Sequence, residues 1–270
     1  MSNRPEHLGP PEIFYNDSEA QKYTYNSRVI EIQTQMCERA LELLMLPEDQ
    51  KCFLLDIGCG SGLSGTVLEE NGHCWVGMDI STSMLKVASD REVQGDLIVT
   101  DMGQGVPFKA ASFDGAISIS ALQWICNIDK TSYTIQKRLN AFFQSLFACL
   151  SSGARAVFQF YPENDQQIGI ITSAATRAGF FGGTIVDFPN SKKAKKFFLV
   201  LMTTGAIELP RALDGSQSHH LKRKPREGKG KDIPKCKRDW IMKKKERHRR
   251  LGKVVKADSK YSGRKRSKKN

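Results

Sequence analysis

No apolar run in the sequence exceeds six residues, Phe197 to Met202. A membrane-spanning helix needs about 20, so none is expected. The opening Met1-Ser2-Asn3-Arg4-Pro5-Glu6 lacks the apolar stretch of a secretory signal. Histidine is scarce. His73 alone lies between Tyr15 and Arg211 and reads as a surface loop residue, and no Ser/His/Asp or Cys/His arrangement offers a nucleophile with its base. The seven cysteines (Cys37, Cys52, Cys59, Cys74, Cys126, Cys149 and Cys236) are odd in number and form no C-x-x-C pair. That argues against a disulfide framework and against a resident zinc site, and such thiols suit a reducing compartment. A phosphate-cradling G-x-x-x-x-G-K-[ST] loop is also missing, which counts against ATPase or GTPase activity.

What is present divides by charge. The 270 residues allow one large domain or two small ones. The net charge of +12 is unevenly spread: residues 1–210 hold 17 Lys+Arg against 23 Asp+Glu, whereas residues 211–270 hold 24 against 6. A mildly acidic body carries a basic arm suited to a polyanion.

The body alternates in pattern. A helical period runs from about Ser18 to Leu46, with Val29, Met36, Ala40, Leu43 and Leu44 on one face and Pro47 ending it. Short apolar runs at Phe53–Ile57, Trp75–Met78, Leu97–Val99 and Ala116–Ile119 predict buried strands, with helices over about 62–71 and 81–89 between them. Leu139, Phe142, Phe143, Leu146, Phe147 and Leu150 mark an amphipathic helix that Ser151-Ser152-Gly153 should stop. A strand over Ala154–Phe160, a helix from Pro162 to Ala178, and strands at Ile185-Val186 and Phe197–Met202 complete the series. Strands alternating with helices predict a mostly parallel sheet covered on both faces. After Arg211 lysines crowd in and little fixed structure is expected, apart from a helix across Asp239–Leu251.

The most informative stretch is Asp56-Ile57-Gly58-Cys59-Gly60-Ser61-Gly62, where a strand runs through glycines into a helix. Missing Cβ atoms let backbone approach a ligand, and a helix N-terminus offers unpaired N–H groups. A glycine pattern alone is weak evidence, because such loops also serve as turns. Asp79 and Asp101 follow at the ends of the next two strands. A carboxylate at Asp79 can accept both hydroxyls of a ribose. Asp101 can accept from the amine of adenine, with Met102 against the ring. Each Asp alone is most often a cap or turn residue; three at regular spacing beside the glycines point to an adenosyl-ligand site. NAD is the nearest rival. Against it, Asp56 would face a pyrophosphate unfavourably and an ammonium favourably.

These residues resemble the three S-adenosylmethionine-binding motifs of class I methyltransferases. More closely, the chain resembles the eukaryotic small-subunit rRNA guanine-N7 methyltransferases of the Williams–Beuren type. The matching stretches include Arg4-Pro5-Glu6-His7, Gly9-Pro10-Pro11-Glu12, Asp101-Met102-Gly103-Gln104-Gly105, Ser118-Ile119-Ser120-Ala121, Gln123-Trp124, Tyr161-Pro162-Glu163-Asn164, Pro189-Asn190-Ser191 and Lys244–Arg250. The resemblance implies a Rossmann-like class I methyltransferase fold with a seven-stranded sheet and a basic, largely disordered C-terminal tail. It divides the chain into a strap and helical cap (1–47), a methyltransferase core (48–205) and the tail (206–270). The implied donor is S-adenosylmethionine, held by Asp56, Gly58, Cys59, Gly60, Asp79, Ile80, Asp101, Met102 and Ser120.

Guanine N7 carries a free lone pair, so no general base is expected; no metal is expected either, since the cysteines offer no ligand spacing. The methylases of exocyclic amines carry an Asn/Asp-Pro-Pro-aromatic run after the fourth strand; Ser120-Ala121-Leu122-Gln123-Trp124 stands here instead. A base extruded from its stack needs aromatic partners. Phe14, Tyr15, Trp124 and Tyr161 lie near the expected pocket edges, and Trp124 or Tyr161 is the candidate for stacking. The resemblance further implies a small zinc-binding activator subunit docking along an edge strand at Leu97–Val99, a pre-ribosomal rRNA substrate, and work in the nucleus and nucleolus, with the cytoplasm also open. The runs Lys243–Arg250 and Gly263–Lys269 serve RNA contact, nuclear import or both. Two other readings stay open: a small-molecule methyltransferase, and a ribosome-assembly factor whose methylase is dispensable.

Overall fold

The computed structural model describes residues 4–127, 134–191, 193–205 and 210–214, with 242, 245, 249, 257 and 258 in the tail. Seven strands form one sheet: β1 (Phe53–Ile57), β2 (Cys74–Asp79), β3 (Asp96–Val99), β4 (Phe113–Ile119), β5 (Leu150–Phe160), β6 (Phe181–Asp187) and β7 (Lys196–Met202). Their order is β3-β2-β1-β4-β5-β7-β6. All pairings are parallel except those of β7, which runs antiparallel to both β5 and β6.

The strands read as continuous apolar runs because both faces are covered. Successive side chains point to opposite faces. Leu55, Ile57, Ala116, Ala156, Phe158, Leu199 and Leu201 join one core, and Leu54, Ile117, Val157, Phe198 and Val200 the other. The first core is closed by α6 (Ile135–Cys149) and α7 (Asp165–Arg177). The second is closed by α3 (Ser27–Leu44), α4 (Leu63–Glu70) and α5 (Thr82–Asp90). On α6, Leu139, Phe142, Phe143 and Leu146 are fully buried, each contributing roughly 1.5–3 kcal/mol.

Three boundaries differ most from expectation, one of them the start of β6, at Phe181 where Ile185 was expected. The helix over 18–46 is two helices, α2 (Asp17–Tyr25) and α3. Asn26 divides them because its side chain accepts from the N–H groups of Arg28 and Val29 at 3.1 and 3.3 Å, ending one helix and capping the next. Asn16 caps α2 in the same way. Ser151-Ser152-Gly153 does not form a loop outside the sheet. β5 begins at Leu150, and the register jumps from Phe113↔Leu150 to Gly115↔Arg155, so these residues ride in a bulge. The short α1 (Pro11–Phe14) precedes α2.

The chain divides into two compact units, Met1–Gln217 and Ser218–Asn270. In the second, Asp258 accepts from Arg249 and Lys245 at 2.7 and 3.2 Å, and the Arg249 hydrogen bond first, then that of Lys245, holds its carboxyl below the usual range. Of the helix expected over Asp239–Leu251, Met242, Lys245 and Arg249 are helical; its other residues lie outside those described. Among the described residues no helix is long and apolar enough to cross a membrane.

Candidate active site

The loop after β1 can be built only with glycine at its tightest point. Gly58 has φ +71°, and a Cβ there would stand 2.3 Å from the Ala121 Cβ. Its N–H and that of Cys59 both donate to the Met78 carbonyl, at 2.8 and 3.1 Å. The loop is therefore pinned across the end of β2. Asp79 pins it further: one carboxylate oxygen accepts the Gly60 N–H and the other the Ser81 N–H, each at 2.8 Å. Burial raises the Asp79 carboxyl, opposed by these backbone donors.

A cleft opens at the carboxyl edge of the sheet, with about 1100 Å³ of empty space including its mouth. Ligand sites in open parallel sheets lie at this edge. Its walls include Gly58, Cys59, Gly60, Asp79, Ile80, Asp101, Met102, Ser120 and Trp124. Ser120 is held at φ +61°, a costly conformation for a side-chain-bearing residue. Gln159 over-determines it: the Ser120 N–H donates to the Gln159 carbonyl at 2.9 Å and the hydroxyl to Gln159 Oε1 at 2.8 Å.

Asp56 is not brought to the wall with the others. It is fully buried, and Ser64 Oγ donates to its Oδ2 at 2.5 Å. Oδ1 is buried with no hydrogen-bond partner. The residue sits within β1, one position before its end, so its side chain lies beneath the glycine loop rather than in the cleft. Burial pushes its carboxyl up to about 7, with Asp79 adding to the rise and the Ser64 hydrogen bond opposing it.

Asp101 reaches the cleft but is already engaged. Arg138 of α6 grips it with two nitrogens at 2.9 and 3.0 Å, and the Gly103 N–H donates to it at 2.8 Å. An adenine amine would have to share the carboxylate with, or displace, that guanidinium. Sequence reasoning missed Arg138, since 37 residues separate the pair and no local pattern joins them. It also missed Gln33, Glu12 and Tyr23, which line the cleft. Gln33 Nε2 donates weakly to Ser120 Oγ at 3.4 Å.

The aromatic candidates separate. Trp124 lines the cleft, 6% exposed, with its ring 6.2 Å from Phe14 and 5.9 Å from Tyr15. Tyr15 joins the wall, and burial beside Glu6 and Asp79 pushes its phenol above the ordinary range. Tyr161 does not line the cleft. Its hydroxyl accepts from Lys196 Nζ at 3.1 Å and lies 3.5 Å from the Met36 sulfur. The strap residues form the remaining wall. Arg4 donates to the Tyr161 and Pro162 carbonyls at 2.9 Å each, Asn127 donates to the Glu6 carbonyl, and Ser81 Oγ donates to the Tyr15 carbonyl at 2.9 Å.

Comparison with known proteins agrees with this architecture. Residues 55–158 match a family model described as a methyltransferase domain, and residues 209–268 match one described as a methyltransferase involved in Williams-Beuren syndrome. The chain is 56% identical to the 18S rRNA (guanine-N(7))-methyltransferase of Mus musculus, covering 98% of this chain and 97% of that protein. The chain belongs to the 18S rRNA guanine-N7 methyltransferase family. An Arabidopsis thaliana member is 52% identical over 98% of this chain and 99% of its own. At the level of fold, a solved Haemonchus contortus phosphoethanolamine N-methyltransferase aligns with a TM-score of 0.54 and 17% identity, covering 71% of this chain and 58% of that one.

The donor of this family, S-adenosylmethionine, fits the site. Asp79 takes the backbone N–H groups of Gly60, Ser81 and Ile80, and of the roughly four acceptor sites on its two oxygens it keeps one for a ribose hydroxyl. On the glycine loop itself, the cleft-lining Ser61 has a buried Oγ with no hydrogen-bond partner, which suits a polar ligand end. Among the described residues no cluster of His, Cys, Asp or Glu could hold a metal ion.

Proposed function

We propose that this chain methylates N7 of a guanine in small-subunit rRNA, with S-adenosylmethionine as donor, during maturation of the small ribosomal subunit. The observation that carries the reading is identity above half along nearly the whole chain to a protein of that named activity. The donor supplies an electrophilic methyl on a sulfonium when bound. The chain's own residues have a simpler task than acid–base catalysis. N7 needs no deprotonation, so holding donor and acceptor in line and keeping water out are what the cleft must do. Asp79 orients the sugar end through its remaining acceptor site. The pinned Gly58–Gly60 backbone permits close approach. Trp124, packed against Phe14 and Tyr15, offers an apolar face to an extruded base.

The edge strand supports the partner expected from the resemblance. In the described residues β3 pairs with β2 alone, and Val99 is 58% exposed at its end. An uncovered apolar edge is a template for strand addition, and a small zinc-binding activator subunit is the partner we assign to it. The basic runs of residues 211–270 fit both RNA contact and nuclear, including nucleolar, work. The test is mass spectrometry of small-subunit rRNA from cells lacking the chain. Loss of one 7-methylguanosine, restored by the wild-type chain but not by an Asp79→Lys variant, is the expected result. An unchanged 7-methylguanosine content overturns the reading.

A further inference from the structure

Residues 1–210 are net acidic, yet four of their 17 basic residues fall within the five positions 192–196. The antiparallel course of β7 determines where this cluster lies. Phe197 pairs with Phe160, the last residue of β5, so the turn leading into β7 stands at the carboxyl edge of the sheet, the same edge as the cleft. The turn is ordered locally: the Lys195 N–H donates to the Ser191 carbonyl at 2.9 Å and the Ala194 N–H to Ser191 Oγ at 3.1 Å. Lys193 and Lys195 are exposed, and Lys195 Nζ stands 4.9 Å over the Phe197 ring.

No acidic group pairs with Lys193, Lys195 or Lys196 among the described residues. The nearest acid along the ladder, Asp187, is committed to Arg39 at 2.9 Å and to the Leu213 N–H at 2.8 Å. Glu163 faces His7 at 3.7 Å. Arg4 adds a further cation beside Tyr161. A chain of hydrogen bonds links the cluster to the cleft wall. Lys196 Nζ donates to the Tyr161 hydroxyl, the Tyr161 N–H donates to Gln123 Oε1 at 3.4 Å, and Gln123 Nε2 donates to the Ser120 carbonyl at 2.9 Å.

We propose that the Lys193–Lys196 turn is a phosphate-binding patch that seats the rRNA strand flanking the target guanine, separately from the basic tail. It deepens the function proposed above and rests on it. Flexible ammonium groups bind phosphates as point charges without reading sequence, which suits a patch that positions the strand while the cleft selects the base.

The test uses the full-length chain, S-adenosylmethionine and a single-stranded rRNA fragment containing the target guanine. The Lys193→Glu/Lys195→Glu variant should raise the KM for RNA about tenfold near physiological salt, with kcat and donor affinity unchanged. The plot of log(kcat/KM) against log salt should become shallower by about 1.4, at roughly 0.7 per lost contact to a single strand. A Lys193→Arg/Lys195→Arg variant should behave as wild type. Direct RNA binding by fluorescence anisotropy must show the same shift in salt dependence, and it decides the patch even if the wild type transfers no methyl group, an outcome that would sink the reaction and not the patch. Equal RNA affinity and equal salt slopes in wild type and variant overturn the proposal, including in favour of an acidic protein partner.

Discussion

Replacing Asp56 with Asn should make the protein more stable at alkaline pH and not at acid pH. The carboxyl is fully buried with one oxygen unpartnered, and its folded-state value is about 7 against an ordinary 3.8. A raised folded value means the folded protein holds a proton that the unfolded chain has released. Stability from this group is therefore complete at low pH, falls as pH rises between about 4 and about 7, and stays low above that. From about pH 5.5 to 8.5, wild type should lose roughly 2 kcal/mol through this residue, at 1.36 kcal/mol per unit over the 1.5 units below the folded value. Asn keeps the shape and can still accept from Ser64 Oγ, but it has no proton to lose. Urea unfolding at several pH values, followed by tryptophan fluorescence, reads the difference directly. The variant's advantage should grow by about 2 kcal/mol across that window. Parallel pH profiles for the two proteins would refute the reasoning, since they would mean that Asp56 titrates as an exposed carboxylate does.

Gly58→Ala should abolish donor binding in calorimetry: a left-handed residue costs about 1–2 kcal/mol and the added methyl must also displace Ala121; a variant binding normally would show that the loop has slack. Arg138→Gln should cost about 3 kcal/mol of stability, because it leaves the largely buried Asp101 without its guanidinium. Thermal unfolding checks that, and donor titration of the same variant shows whether Arg138 aids or opposes the adenine end. Truncation of the basic tail should begin at residue 215. Leu213 accepts from the Phe188 N–H, and Arg39 donates to the Arg211 carbonyl at 3.0 Å, so a cut at 211 would also strip a segment packed on the body. The truncated chain should bind donor as wild type does and lose salt-dependent RNA affinity; equal affinity with and without the tail would contradict its role.

The sheet was legible because its strands are buried on both faces and therefore stand out as apolar runs. The glycine loop was legible because few residue types tolerate a positive φ. The split at Asn26 was less so, because a capping side chain leaves no mark on hydrophobic periodicity. The site showed the same division. Asp79 and Asp101 stand at strand ends, where order along the chain translates into position at the ligand edge. Asp56 lies one residue earlier, and a single step along a strand sends the side chain elsewhere. Arg138 and Gln33 come from helices distant in sequence, and their approach depends on packing that no local pattern encodes.

The strap has a practical consequence. Its hydrogen bonds to the body include Arg4 to the Tyr161 and Pro162 carbonyls, Asn127 to the Glu6 carbonyl and Ser81 Oγ to the Tyr15 carbonyl, so one side of the cleft belongs to a segment that contributes no strand. Cleavage near Gly9 would leave every strand pairing intact while loosening one side of the ligand chamber. An affinity tag fused at the amino end would sit against that same doorway.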